Sequence, residues 1–232
     1  MEKRRSGKKH HHGDGWQLKN VILGGQDGVV NILGLVLGVA AATQNSGIVI
    51  ISGLASTFAE SLSMAAVAYT SSKAAKEYYV AEVKREEDAV KRNPKSVKKE
   101  VRTLFKKRGL TGRALEVVVN KITSSRRLLA DTLMHEVSPE EYKSPARNAV
   151  VVGFSSLVGS LVPLIPFFFV NVKSSVYWSF VFSVGVLFVT GAYKAKITVG
   201  DWRKSGLEMA LIGGLAALAG YGIGLVLSAI PY

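Results

Sequence analysis

The sequence contains no cysteine. That absence excludes a disulfide framework, a thiolate zinc site and a cysteine-held iron–sulfur cluster, and it carries no information about the redox compartment. Histidine is nearly as scarce, since only His135 lies outside the run His10–His12. No Cys/His or Ser/His/Asp arrangement, phosphate loop or nucleotide motif is present. These absences argue against an enzyme, and we expect no bound cofactor.

Acidic residues are also few, with 17 Asp and Glu against 30 Lys and Arg and a net charge of +13. Such a charge is typical of proteins that bind nucleic acid or lie in membranes. The apolar residues decide for the membrane, because they fall in blocks of about 20 or more with few charges, which is long enough to cross a bilayer. The sequence therefore predicts an all-α membrane protein that does not bind nucleic acid. Five spans are predicted, at residues 20–43, 47–72, 146–170, 174–194 and 205–230.

A polar insert separates the second predicted span from the third. It is predicted to be helical, with one helix continuing span two to Arg92, one from Pro94 to Arg108, and a further segment after Thr111. Gly109 is the expected stop of the second of these helices. The N-terminal tail includes His10–His12, to which we assign no fixed role. The predicted segments are the tail 1–19, spans one and two at 20–72, a three-helix insert at 73–145, and spans three to five at 146–232.

The distribution of Lys and Arg predicts the orientation of the chain in the membrane. Basic residues concentrate in the N-terminal tail, in the insert and in the loop before span five. With five spans, these segments all fall on one side, and the loop between spans three and four carries only Lys173. Because cytosolic loops are enriched in Lys and Arg, the tail and the insert are expected in the cytosol and the C-terminus on the lumenal or extracellular side.

Two acidic residues lie inside the first two predicted spans, Asp27 in the first and Glu60 in the second. A carboxylate within the hydrocarbon layer costs at least a few kcal/mol, so it commonly marks an ion pathway. At about 1.5 Å per residue, Asp27 and Met64 lie at similar depths from the cytosolic side. Glu60 is one helical turn from Met64 on the same face. Glu208 enters span five close to the cytosolic side.

A carboxylate combined with a thioether favours a transition-metal ion over Mg²⁺ or Ca²⁺. A carboxylate can also take up a proton in place of a metal ion, which is the simplest basis for exchanging one for the other. Asp27, Glu60 and Glu208 are the candidates for proton coupling. The alternative is that Met64 packs as an ordinary apolar residue and that an acid near a helix end is solvated.

Two pairs of glycines have the spacing that allows close helix contact in lipid. They are Gly34 with Gly38 in span one and Gly220 with Gly224 in span five. Two interpretations remain open from the spacing, namely packing within one subunit and a seam between two subunits.

The motifs around the two acids resemble those of the vacuolar iron transporter (VIT) family of divalent metal/proton antiporters. The first span contains Gly25-Gln26-Asp27-Gly28-Val29-Val30, which resembles the Asp-Gly motif of that family. The second contains Gly53-Leu54-Ala55 and, after a gap, Ala59-Glu60-Ser61-Leu62-Ser63-Met64-Ala65. Five spans, a helical insert after the second, and Lys107-Arg108-Gly109-Leu110 inside the insert also match.

The resemblance implies a homodimer in a vacuolar-type or cell membrane, with an ion path lined by the first two spans. Its members move Fe²⁺, and often Mn²⁺ or similar ions, out of the cytosol in exchange for protons. Asp27 and Met64 fall on the family's metal-ligand positions. In the insert, which in the family collects metal, Glu86, Glu100 and Met134 fit ligand positions. Many members carry a Glu where this chain has Ser56, and Glu60 is the residue that would replace it.

Two other functions remain compatible with the sequence. Ser56 favours a transporter or channel of the same fold that is uncoupled from protons or selects another ion. The basic insert favours a non-transporting scaffold that binds anionic lipid or a partner.

Overall fold

The computed structural model describes residues 12–125, 128–129, 132, 144–198 and 200–230. Throughout these residues the regular secondary structure is helical. The helices are α1 (His12–Thr43), α2 (Ser46–Arg92), α3 (Pro94–Lys107), α4 (Gly112–Thr123), α5 (Pro145–Leu164), a short 3₁₀ helix (Ile165–Phe168), α6 (Val172–Ile197) and α7 (Trp202–Ser228).

Five of these helices are long and apolar enough to cross a membrane: α1, α2, α5 with its 3₁₀ extension, α6 and α7. The prediction of an all-α chain with five spans is therefore confirmed. Helix α1 begins at His12, inside the segment predicted as the N-terminal tail, and the division of the chain at residue 19 stays a prediction. No proline or cap separates residues 12–19 from the apolar stretch, so the helix continues across the change in polarity.

The link between α1 and α2 consists of Gln44 and Asn45. Gln44 has a φ of +49°, the left-handed conformation that commonly ends helices. Its side-chain amide donates a hydrogen bond to the carbonyl oxygen of Ala40 at 2.9 Å. Asn45 then accepts a hydrogen bond from the backbone N–H of Ile48 at 3.2 Å. These polar side chains satisfy backbone groups at both helix ends, which lets α2 return antiparallel to α1 after two residues.

Helix α5 ends where Pro163 and Pro166 interrupt its backbone hydrogen bonds. The carbonyl groups left near this break are bound by serines of α6. Ser179 donates to the carbonyl oxygen of Pro163 at 2.7 Å, and Ser175 donates to that of Pro166 at 3.1 Å. Both serines are fully buried. These hydrogen bonds hold α6 against the end of α5, and the carbonyl oxygen of Pro166 also accepts from the backbone N–H groups of Phe169 and Val170.

We expect Ser179→Ala to lower the free energy of unfolding by about 1–2 kcal/mol, because it removes the donor to the carbonyl group of Pro163. Ser183 is a matched control one turn further along α6. It is also fully buried, and its hydroxyl group has no partner among the described residues. Ser183→Ala should therefore leave stability unchanged or raise it. Thermal unfolding of the purified variants in detergent would measure both effects, and equal loss in the two variants would contradict this account.

The two glycine pairs pack against each other within one chain. A Cβ atom added at Gly38 would lie 2.8 Å from the carbonyl oxygen of Gly220, and one added at Gly34 would lie 3.2 Å from that of Ala216. A Cβ atom at Gly220 or Gly224 would overlap the backbone of Gly34 or Gly38. The structure therefore supports the first of the two interpretations, in which the glycines join α1 to α7 inside one subunit.

The chain divides into two compact units. The first comprises residues 1–69 and 146–232, and the second comprises residues 70–145. In the first unit, one buried cluster joins α1, α2 and the end of α5, and it consists of Ile32, Val36, Ala40, Val49, Leu164 and Phe167. In the second unit, the buried cluster lies between α3 and α4 and extends to Leu129. Its other members are Val97, Val101, Leu115, Val119 and Ile122.

Candidate metal and proton site

The candidate site begins with the close contact between α1 and α5. Gly24 and Gly28 are buried, and a Cβ atom at either position would overlap a backbone carbonyl oxygen of α5, that of Val152 or of Ser156. A Cβ atom at Gly28 would also lie 2.6 Å from the hydroxyl oxygen of Ser160. The two glycines therefore let α1 lie directly on α5, and this packing fixes the position of Asp27 between them in the sequence.

Asp27 and Glu60 interact across the first and second spans. The carboxyl groups of the two residues are close enough for a direct electrostatic and side-chain contact. The Nδ2 atom of Asn31 donates a hydrogen bond to Oε1 of Glu60 at 2.9 Å. Asn31 lies one turn from Asp27 on α1, so both project from the same face of the helix. The structure thus brings the two intramembrane acids of the sequence together and adds an amide group beside them.

Met64 and Ser56 flank Glu60 on α2, each one turn away. Both are half-buried, as are Asp27 and Glu60, whereas Asn31 is exposed in the single chain. The adjacent face of α2 is packed more tightly, because Thr57 and Ser61 are buried there, and the hydroxyl group of Ser61 donates to the carbonyl oxygen of Thr57 at 2.7 Å. The acids and Met64 therefore lie along the edge of the buried face of α2.

The outer face of α2 beside this edge is strongly apolar. Ile51 is 71% exposed, Phe58 65% and Leu62 73% in the single chain. Within the described residues, no three His, Cys, Asp or Glu side chains converge as a metal-binding group. One copy therefore brings together two carboxyl groups and an amide oxygen, with a thioether one turn away. Further ligands would have to come from water, from backbone carbonyl groups or from a second copy.

The remaining predicted residues lie apart from this group. Glu208 is exposed on α7, while the neighbouring Met209 is buried against Val29 and Leu187. Met209 is therefore a packing residue. Glu100 is exposed on α3. The side chain of Glu86, all of Met134, and the side chains of His10–His12 lie outside the part of the chain that is described, so their predicted roles stay predictions.

Asn31 is the residue that the sequence left unassigned. Its spacing of four residues from Asp27 was the available signal, because positions i and i+4 share a helix face. An amide within an apolar span also carries a desolvation cost unless it is hydrogen-bonded. The hydrogen bond to Glu60 satisfies that requirement. It uses the amide nitrogen of Asn31 and does not involve the amide oxygen.

Comparison with known proteins gives one consistent result. The model of the VIT family matches residues 18–225. The chain is 29% identical over 220 residues to "Vacuolar iron transporter 1" of Eucalyptus grandis, covering 93% of this chain and 88% of that protein. It is 28% identical over 234 residues to "Vacuolar iron transporter 1" of Oryza sativa subsp. japonica, covering 96% and 92%. It is 27% identical over 218 residues to "Protein CCC1" of Saccharomyces cerevisiae, covering 88% and 67%.

Proposed function

The chain belongs to the VIT family, and from that premise we propose that it moves divalent transition-metal ions out of the cytosol in exchange for protons. Fe²⁺ is the first candidate substrate, because the similar proteins are named iron transporters. Mn²⁺ is the second. The membrane is of the vacuolar type, which is also what the names of these proteins suggest. The names of these proteins do not give the direction of transport, the coupling ion or the metal-binding residues, which are assigned here as part of the same proposal.

The observation that carries the proposal is the contact between Asp27 and Glu60 within two membrane-spanning helices. Two neighbouring carboxyl groups inside a membrane must bind a metal ion or protons, because isolated carboxylates are costly there. A divalent metal ion satisfies both groups at once, and protons satisfy them when the metal has left. The two carboxyl groups can therefore bind a metal ion or protons, but not both at the same time. This competition couples the movement of the metal ion to that of the protons.

Met64 and Asn31 support the choice of a transition metal. Carboxylate and amide oxygens alone would suit Mg²⁺ or Ca²⁺, whereas a thioether shifts the preference toward softer ions. Met64 lies one turn from Glu60 on α2, so a metal ion held by the two acids lies near its sulfur atom. Asn31 donates to Glu60 through its nitrogen, and this leaves its oxygen as a further ligand.

A second copy of the chain is proposed to cover the open side of this group. Asn31 is exposed and Glu60 half-buried in the single chain, and the adjacent face of α2 is apolar. Polar groups facing lipid would be unfavourable, whereas a twofold partner would supply the same acids, amide and sulfur from the opposite side. A homodimer therefore completes the ligand set, with the ion path between the copies. The proposed orientation places the N-terminus and the three-helix insert in the cytosol.

Glu60→Gln tests the proposed coupling to protons. Glutamine keeps an oxygen that can accept the hydrogen bond from Asn31, but it cannot bind a proton in the working pH range. We expect the variant to lose stimulation of metal uptake by an acidic vesicle interior, while some metal uptake down its own gradient remains. The measurement is Mn²⁺ uptake into proteoliposomes with an entrapped fluorescent chelator, with and without a pH gradient.

The control for this experiment is Glu77→Gln, which removes an exposed acid of α2 outside the candidate site. It should respond to the pH gradient as the unmodified protein does. If uptake by the unmodified protein is independent of the gradient, the chain is an uncoupled transporter of the same fold. If Glu60→Gln keeps full stimulation, the proton is carried elsewhere.

A further inference from the structure

Helix α3 has a cationic face that neither the candidate site nor the buried core of its unit uses. The helix carries six basic residues and one acid, Glu100. Val97 and Val101 are buried in the cluster shared with α4. Lys95 and Lys99 are two residues away from these valines, so they project from the opposite side of the helix. Lys106 follows seven residues after Lys99 and falls on the same side.

We name Lys95, Lys99 and Lys106 the lysine face. All three side chains are exposed, and within the described part of the chain none of them forms an ion pair. Arg102, beside this face, is instead paired with Glu116 at 2.7 Å. In the second unit, the charge of Arg102 next to α4 is therefore neutralised, whereas the lysine face has no acidic partner among the described residues. Three like charges in a row are mutually repulsive, so a structural role for them within the unit is unfavourable.

The position of α3 in the chain indicates which anionic partner is always close to the lysine face. The unit formed by residues 70–145 begins within α2 and is followed in the chain by α5, and both helices contain a segment apolar enough to span a membrane. A tether at both ends holds the unit close to headgroups at a high effective concentration. A soluble acidic protein or a nucleic acid would have to compete with that surface. Clusters of Lys and Arg next to membrane spans bind anionic lipid by the same electrostatic attraction.

We propose that the lysine face of α3 binds the anionic phospholipid headgroups of the membrane that the chain itself spans. The helix docks through its ammonium groups, while Val97 and Val101 remain in the core with α4. This interaction adds a lipid-dependent contact to the protein and is separate from metal transport. The strength of this contact therefore depends on the anionic lipid content of the membrane.

The absence of cysteine makes the test direct, because one introduced cysteine gives a unique label. Thr103 is exposed on α3 between Lys99 and Lys106, and Thr103→Cys accepts a polarity-sensitive fluorophore. The full chain is placed in nanodiscs of phosphatidylcholine with increasing phosphatidylserine. We expect a blue shift that saturates at about 30% phosphatidylserine and is reversed when salt is raised from about 0.05 to about 0.5 M. The readout requires no transport, so its outcome is independent of the proposed transport function.

The variant that tests the lysine face is Lys95→Gln/Lys99→Gln/Lys106→Gln. Each lysine near an anionic surface contributes about fivefold to binding, so the triple variant should bind about a hundredfold more weakly and lose the shift. The matched control is Lys76→Gln/Lys84→Gln/Lys121→Gln, which removes three exposed lysines from the same unit. It should keep most of the shift.

Three results would overturn the proposal. They are an equal signal in phosphatidylcholine alone, an equal loss in the control variant, and an unchanged signal in the lysine-face variant. Displacement of the label signal by soluble glycerophosphoserine at concentrations equal to the lipid would also overturn it, because it would assign the site to a free phosphate ester rather than to a membrane surface.

Discussion

Asp27→Asn is expected to reduce divalent-metal uptake to the background of empty vesicles. The substitution preserves the size of the side chain and its ability to form hydrogen bonds, but it removes the negative charge next to Glu60. The metal ion would lose one of its two carboxylate ligands, and loss of one partner from a desolvated pair of opposite charges typically costs about 3 kcal/mol or more, which corresponds to at least about a hundredfold loss in metal affinity.

The measurement uses proteoliposomes with an entrapped metal-sensitive dye, external Mn²⁺ or ascorbate-reduced Fe²⁺, and an acidic interior. Glu77→Gln again serves as the control for loss of an acid from α2, and the folded fraction of each variant is checked by size-exclusion chromatography in detergent. Metal uptake by Asp27→Asn at the rate of the control would contradict the assignment of the ion path to α1 and α2. It would leave the fold and the family unaffected, since neither depends on that residue's charge.

Composition and periodicity were sufficient for the spans because the signal is local. A run of about 20 apolar residues must be a helix in lipid, since every backbone group has to be satisfied within the segment. The predicted bounds 20–43 and 47–72 also left a short link between the first two spans, which in the structure consists of Gln44 and Asn45. Helix α1 extends beyond the predicted span to His12, through polar residues that hydropathy does not assign to the membrane. Hydropathy detects the membrane boundary, whereas a helix continues for as long as its backbone hydrogen bonds do.

The sequence did not predict which helices pack against each other, because that depends on which helix surfaces meet in three dimensions. The spacing of Gly34 and Gly38 shows that a close approach is possible, but not whether the neighbour is α7 or a second copy. Likewise, only the three-dimensional arrangement shows that Ser175 and Ser179 donate hydrogen bonds to the carbonyl groups of Pro166 and Pro163.

The candidate site shows the same division between local and long-range information. Depth alone placed Asp27 and Met64 at one level, and the four-residue spacing placed Glu60 next to Met64. The hydrogen bond from Asn31 to Glu60 joins two helices, so no pattern within either helix contains it. Met209 illustrates the opposite case, since it is a thioether within a span whose side chain packs against Val29 and Leu187.

The contact between α1 and α7 gives the largest expected effect on stability. A methyl group added at Gly220 would lie 2.6 Å from the carbonyl carbon of Gly34 and 2.8 Å from its Cα atom. Favourable carbon contacts are about 3.5–4.0 Å long, and both partners are backbone atoms that cannot rotate away. The two helices would have to separate, which would also disturb the contacts of Gly38 and Gly224 one turn further along.

We expect Gly220→Ala to lower the free energy of unfolding by about 3 kcal/mol, or the apparent melting temperature by about 6–12 °C. Gly222→Ala is the matched control, because it lies on the same helix and no described atom is within 4 Å of its added methyl group. Alanine has the higher helix propensity, so the control should be neutral or slightly stabilising. Thermal unfolding in detergent would separate the two variants. Similar melting temperatures for both would mean that α1 and α7 do not meet through these glycines, and the interface between subunits would then again be the alternative location for the motif.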